Sequence, residues 1–378
     1  MSFSKFLKNQ INSLKKGYLY RERIIIPEHI IDFSSNDYLG LKNHRETKEN
    51  LKNNLEKLSL SSGASPLVSG YNIYQEELEN LLSKIKCTEK CLVVGSGYLA
   101  NVGLIQALAN QKSVIFSDQF NHASIIDGIR LSKALKIIYP HKDINFLEDQ
   151  LKKFKNYHLK FIITDGVFSM EGDITNYKEL KYIADKYKAV IILDDAHATG
   201  IIGEGKGTIF HFNLKPDENT IQVGTLSKAI GSYGAFICGT SELITFLINS
   251  MRTQIFSTAL SPVQNFISLE NLKIMINQPH RRKKLLNNAQ YLYKTASKNN
   301  INLTYFNTPI FTLQIGDNKK ALKIRDFLLE KGIFVQAIRP PTVPEGTSRL
   351  RITVSYKHTK NDIDLLVKSL KESLELLI

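Results

Sequence analysis

Lys228 lies in Val-Gly-Thr-Leu-Ser-Lys-Ala-Ile-Gly-Ser-Tyr-Gly, residues 223–234, among hydroxyls and small residues that would let a bulky planar ligand approach the backbone. A lysine withdrawn from water loses part of its preference for the ammonium form, and the free amine can form a Schiff base with an aldehyde. Taken alone, the stretch reads equally as a solvated loop lysine among turn glycines. Other polar groups, however, gather at the ends of predicted strands. Gly95-Ser-Gly-Tyr-Leu-Ala-Asn101 opens a helix after Val94, so free backbone N–H groups there would face an anion. His122 follows the next strand, Ser169 follows the strand 161–165, and Asp194-Asp-Ala-His197 closes the strand 190–193.

Each of these has a plain structural explanation by itself, since a strand-end aspartate often caps a helix and a loop histidine usually only hydrogen-bonds. Together they supply what one cofactor needs. An amine captures an aldehyde, a carboxylate keeps a ring nitrogen protonated, a helix start with hydroxyls holds a phosphate, and an imidazole covers a flat ring. That cofactor is pyridoxal 5'-phosphate (PLP), whose protonated ring withdraws electrons from a carbanion. Residues 95–100 also satisfy the Gly-x-Gly-x-x-Ala dinucleotide fingerprint, with Asp118 at about the spacing of a ribose contact. Such a fingerprint belongs to the first strand-helix unit of its domain, and here a long organised segment precedes it.

The elements that must position these residues alternate. Strands are predicted at 91–94, 113–117, 136–139, 161–165, 190–194 and 220–223, with helices between most of them, which implies an α/β fold with a largely parallel sheet between helices. Ligands of such sheets bind beyond the carboxyl ends of the strands. A long helical region over 265–299 leads to a second α+β unit with strands at 310–315, 334–338 and 350–355. The expected division is an amino-terminal helix and arm over 1–45, a large domain over 46–262 and a small domain over 263–378.

With 378 residues, of which 43% are hydrophobic, the chain can bury two cores, and no apolar run reaches the length of a membrane span. Cys87, Cys91 and Cys238 form no disulfide framework and no zinc ligand set, which points to a reducing, cytoplasmic compartment. No metal site is expected. Fifty Lys and Arg against 36 Asp and Glu leave +14. The lysines are scattered rather than gathered into a stripe with aromatics, so a basic surface for small anions is expected, not a nucleic-acid site. Met1–Arg23 has no acid before Glu22 and carries Phe3, Leu7, Ile11 and Leu14 at helical spacing, which suits an organellar presequence or a docking helix alike.

Essentially end to end, the chain resembles the α-oxoamine synthases, PLP enzymes of fold type I related to aminotransferases. The resemblance is carried by Asn-Asp-Tyr-Leu-Gly-Leu at 36–41, Leu-Val-Ser-Gly at 67–70, the 95–101 segment, Asp-Asp-Ala-His-Ala-Thr-Gly at 194–200, Gly-Thr-Leu-Ser-Lys at 224–228, and Ile-Arg-Pro-Pro-Thr-Val-Pro-Glu-Gly-Thr-Ser-Arg-Leu-Arg at 338–351. Six ordered matches are far more specific than any one motif. Ser227 stands where a glycine often precedes the lysine, and Pro66 stiffens the loop 62–67.

The resemblance implies that Lys228 bonds the PLP aldehyde and Asp194 pairs with the ring nitrogen. Gly97 and Tyr98 would hold the phosphate by backbone N–H groups, with Thr225 adding its hydroxyl. His122 would stack on the ring, while Ser169 and His197 would bond near its phenolic oxygen. Arg351 would receive an amino-acid carboxylate bidentately. Asn36 joins it as a candidate substrate contact, with Thr342 and Arg21 along an acyl path. Ser257 and Thr258 would reach the phosphate of a neighbouring subunit, which implies a homodimer. Nearest is the branch that condenses L-alanine with a pimeloyl thioester of coenzyme A or acyl carrier protein. The alternatives are a glycine C-acyltransferase of the same family (2-amino-3-ketobutyrate ligase or 5-aminolevulinate synthase) and, more distantly, a dinucleotide-dependent oxidoreductase.

Overall fold

The structure is a computed structural model that describes residues 1–377. Two compact units are present. The larger takes in Asp37–Ser169 and Asp173–Arg282, and the smaller takes in Met1–Asn36, Met170–Gly172 and the chain from Lys283 onward. Helix Pro262–Asn277 therefore belongs to the larger unit, past the expected boundary at 262, because Leu269 and Leu272 are buried and Asn271 Nδ2 donates to Ile230 O at 2.8 Å.

In the larger unit a seven-stranded sheet runs in the order Lys90–Val94, Ala235–Gly239, Thr220–Thr225, Val190–Asp194, Leu159–Asp165, Ser113–Asp118, Leu135–Tyr139. The last five are parallel, while Ala235–Gly239 is antiparallel to both of its neighbours. Side-chain alternation along the strands separates two cores. Ile115, Ile163, Ile192 and Ile221 pack on one face with Ala100, Leu104 and Ile125, whereas Phe116, Ile162, Ile191 and Leu193 pack on the other with Leu147, Leu151, Leu180 and Ile183. These strands are near-continuous runs of β-branched residues because both faces are covered. Helix Gly97–Leu108 starts at Ser96, whose Oγ accepts from Leu99 N at 3.2 Å, so its origin is fixed at the end of a strand.

Strand Ala235–Gly239 was not expected from sequence; it follows directly on the turn-rich segment Gly231-Ser-Tyr-Gly234, which masks its start. The long helical region divides into Pro262–Asn277 and His280–Lys298, broken ahead of Pro279, which disfavours helical backbone in the residue before it.

The smaller unit holds a four-stranded antiparallel sheet in the order Gln336–Ile338, Ser348–Thr353, Ile310–Gly316, Thr304–Tyr305, with helices Asn318–Glu330 and Lys360–Leu377. The strand predicted at 334–338 divides in two because Phe334 pairs with Asp32 in a separate two-stranded ladder while Gln336 pairs with Arg351. The strand that pairs there with Ile333–Phe334 is the short Ile31–Asp32. The amino-terminal helix, Phe3–Lys16, forms as expected and has no buried residue. Among the described residues no helix is long and apolar enough to cross a membrane.

Candidate active site

Strand Val190–Asp194 ends on a carboxylate that is 5% exposed. Two neutral donors aim it: Asn101 Nδ2 donates to Oδ2 at 2.7 Å and the Ala196 N–H donates to Oδ1 at 2.9 Å. The same Asn101 Nδ2 donates to Ser124 Oγ at 2.9 Å, and Ser124 Oγ lies 2.8 Å from His122 Nδ1. His122 caps helix Ala123–Ser132, its Nδ1 accepting from the Ser124 N–H at 3.3 Å. One chain of hydrogen bonds thus joins Asp194 to His122.

Electrostatics tie Lys228 to the same place. His122 is drawn below its ordinary pKa by desolvation first; the Asp194 charge opposes that shift and the Lys228 charge adds to it. Asp165, ending the adjacent strand, has its carboxyl pushed well up by burial and then by Asp194, with Lys228 pulling the other way. Lys228 is placed by strand Thr220–Thr225, whose Val223 pairs with Asp194, and by a turn in which the Gly231 N–H donates to Lys228 O at 2.9 Å.

Thr225, at the end of that strand, has its Oγ1 buried without a hydrogen-bond partner. Its Cγ2 lies where a Cβ on Gly97 would come within 2.8 Å, so only glycine admits this approach between strand end and helix start. An unsatisfied buried hydroxyl on a side chain that packs against the first turn of a helix fits an oxyanion group such as a phosphate. Tyr98 turns its own hydroxyl to Asp127 on the neighbouring helix, which leaves the backbone N–H as its contribution.

His197, 7% exposed, shares a hydrogen bond of 2.7 Å between Nδ1 and the hydroxyl of the fully buried Tyr38. Ser169 lies in a loop pinned by the Val167–Ile174 bridge and by the Phe168 N–H donating to Asp173 O at 3.0 Å. Ser257 and Thr258 line a small cavity with Gly95, Pro66 and Gln75. In the smaller unit, Arg351 is buried on strand Ser348–Thr353, with Nη2 donating to Asn36 Oδ1 at 3.0 Å and Nη1 to Thr353 Oγ1 at 2.9 Å. Arg21 Nη2 donates to Pro340 O at 2.9 Å, and the Thr342 N–H donates to Arg339 O at 3.1 Å, so these two candidates share one turn.

Sequence reasoning missed Asn101, Ser124 and Tyr38 as the groups that orient Asp194, His122 and His197. Asn101 stood inside a quoted motif, but its role depends on which helix crosses it. Asp118, the ribose candidate of the dinucleotide reading, already accepts from Phe120 N and Lys142 N, each at 2.9 Å, and from His141 Nδ1 at 2.9 Å. Among the described residues no group of His, Cys, Asp or Glu could hold a metal ion.

The family described as Aminotransferase class I and II matches residues 28–370. An 8-amino-7-oxononanoate synthase of Lysinibacillus sphaericus is 46% identical over 341 residues, 90% of this chain and 87% of that protein. One from Thermoanaerobacter pseudethanolicus is 42% identical over 380 residues, 97% of this chain and 96% of that protein. Among solved structures, 8-amino-7-oxononanoate synthase from Francisella tularensis aligns with a TM-score of 0.79 at 29% identity, covering 92% of this chain and 99% of that one. A serine palmitoyltransferase from S. paucimobilis aligns with a TM-score of 0.93 at 24% identity over 100% of this chain and 99% of that one, a likeness of fold.

Proposed function

The chain belongs to the aminotransferase class I and II family, and from that premise we propose that it is a PLP-dependent acyltransferase that condenses L-alanine with a pimeloyl thioester. The products are 8-amino-7-oxononanoate, carbon dioxide and the free thiol, a step of biotin synthesis. The observation that carries the reading is that Asp194, His122, Lys228 and the unsatisfied Thr225 hydroxyl lie at or just beyond the carboxyl ends of parallel strands of one sheet, in a chain matched along nearly its whole length by proteins named 8-amino-7-oxononanoate synthase.

When bound, PLP supplies an aldehyde for an amine and a protonated heterocycle that draws electrons from a substrate carbon. Lys228 is the residue whose Nζ would hold that aldehyde, and the same amine, when free, would serve as the base for the substrate's Cα proton. Asp194 holds a proton on the ring nitrogen. Because Asn101 and Ala196 donate to it without carrying charge, its negative charge stays available for that partner. His122 covers the ring, while His197, held by Tyr38, and Ser169 bond near the phenolic oxygen. Gly97 and Tyr98 N–H groups with Thr225 Oγ1 take the phosphate. Arg351, already braced by Asn36 and Thr353, receives the alanine carboxylate, and Arg21 and Thr342 line the acyl path.

We further infer a homodimer in which Ser257 and Thr258 complete the partner's phosphate site. A cytoplasmic location suits three free cysteines. The excess of basic side chains suits an acidic acyl carrier protein or the phosphates of coenzyme A, and the acyl-transfer rate should fall as salt rises. The deciding experiment supplies purified protein with pimeloyl thioester and either L-alanine or glycine. The expected result is 8-amino-7-oxononanoate from alanine, and preferential use of glycine would overturn the assignment.

A further inference from the structure

That mechanism employs Asp194 and His197 but gives Asp195, between them in the chain, nothing to do. Asp195 and Lys86 form an ion pair of 2.9 Å in which both side chains are 0% exposed. Lys86 is the last residue of helix Ile73–Lys86, and its ammonium group is fully used: Nζ donates to Asp195 Oδ2, to Thr199 Oγ1 at 3.2 Å and to Lys206 O at 2.6 Å. The Asp195 carboxylate also accepts from the Thr208 N–H, at 3.2 Å to Oδ2. Gln222 Nε2 donates to Lys86 O at 3.1 Å, tying the helix end to the strand beside Asp194.

The surroundings are cut to fit this pair. A Cβ on Gly207, whose φ is +110°, would lie 2.0 Å from Asp195 Oδ2 and 2.8 Å from Lys86 Nζ. Asp194 and Asp195 are consecutive, so their side chains leave the strand end in opposite directions, one to Asn101 and the other to Lys86. The turn after them is closed on Asp195, whose carbonyl accepts from Ala198 N at 3.0 Å and Thr199 N at 2.9 Å. A rotation of the backbone at 194–195 would swing the Asp194 carboxylate and the His197 ring together, and the Lys86 clamp opposes it.

We propose that Lys86, acting through Asp195, is a positioning residue that sets the aim of Asp194 and His197 toward the cofactor ring. The proposal rests on the reading that Asp194 pairs with the ring nitrogen of PLP. A buried ion pair is a poor source of net stability compared with an apolar pair of the same volume, so its retention here fits orientation better than strength.

The test pairs Lys86→Met with Asp195→Asn in one protein, which removes both charges and leaves no lone buried one, and compares it with Asp194→Asn. Far-UV dichroism and a cooperative melt establish folding, titration with PLP followed in the visible gives affinity, and a pH series gives the midpoint of the bound cofactor's visible band. The expected double variant is folded, binds PLP about tenfold more weakly and has its midpoint displaced in the same direction as in Asp194→Asn. A folded double variant with the parent's affinity and midpoint overturns the proposal. Should the double variant fail to fold, Thr199→Val, which deletes one acceptor of Lys86 at nearly constant volume, decides alone. It should displace the midpoint in that direction and weaken PLP about threefold, and parent values in it overturn the proposal. An Asp194→Asn protein with parent values instead overturns the reading of Asp194 beneath the proposal, and which protein stays unchanged tells the two failures apart.

Discussion

Three strands of the same sheet end on aspartates, and two of these, Asp118 and Asp194, have opposite surroundings. Asp118, closing Ser113–Asp118, accepts from His141, and His141 Nε2 lies 2.9 Å from Asp173 Oδ2, which also takes Lys142 Nζ at 2.8 Å. That cluster neutralises itself. Asp194, closing Val190–Asp194, takes its two hydrogen bonds from the amide of Asn101 and the backbone of Ala196. Neutral donors fix a carboxylate and keep it ionised without consuming its charge, whereas cationic partners consume it. The contrast separates a structural clasp from a site with charge to offer, although both read as a strand-end aspartate.

The sharpest way to break the contrast is to make the same change at both ends. Asp194→Asn should lower kcat/KM about a thousandfold with the fold intact. Asp118→Asn should leave kcat within about threefold yet cost about 2 kcal/mol of stability by denaturant melting, since it strips a partner from a half-buried imidazolium. Comparable activity losses in the two proteins would erase the distinction.

Next in size is Asn101→Leu. Removing the amide that aims Asp194 and joins it to Ser124 should reduce kcat by about tenfold or more, with a smaller change in the KM for alanine. An unchanged kcat would show that Asp194 needs no such support.

The smallest effect on activity belongs to the Asp118 clasp, whose pH dependence is read in stability instead. Burial lowers the His141 pKa, but hydrogen bonds to Asp118 and Asp173 more than reverse this and bring it up to about 9. A histidine with a raised folded-state pKa contributes stability fully below its unfolded value of about 6.5, and that contribution is lost as pH rises through about 9. Stability should therefore fall between these limits by at most about 3 kcal/mol, and His141→Gln should flatten the fall. Chemical denaturation at several pH values measures both slopes, and an equal fall in the variant would remove the clasp from the account.

What sequence reading reached, and what it did not, follows the same division. Lys228, Asp194 and His122 were legible because their chemistry is written in residue type and in their place after apolar runs. The parallel strands were legible because burial on both faces leaves continuous β-branched stretches such as Val190-Ile-Ile-Leu. Asn101 and Ser124 were not, since their meaning arises only when helices Gly97–Leu108 and Ala123–Ser132 lie side by side. Lys86 is by type and place an ordinary last-turn lysine that favours the helix dipole, and nothing local announces that Asp195 waits for it. Strand Ala235–Gly239 escaped because it runs straight on from the glycine-rich turn 231–234, and the antiparallel edge of the sheet went with it.

The central claim is that one amine, Lys228, meets the PLP aldehyde beside a charged Asp194. Borohydride reduction of the yellow protein followed by peptide mapping tests it directly. The account predicts a cofactor adduct on the peptide containing Lys228 and no reducible adduct in Lys228→Ala. A Lys228→Ala protein that stays yellow and carries a borohydride-fixed adduct on another residue would contradict it.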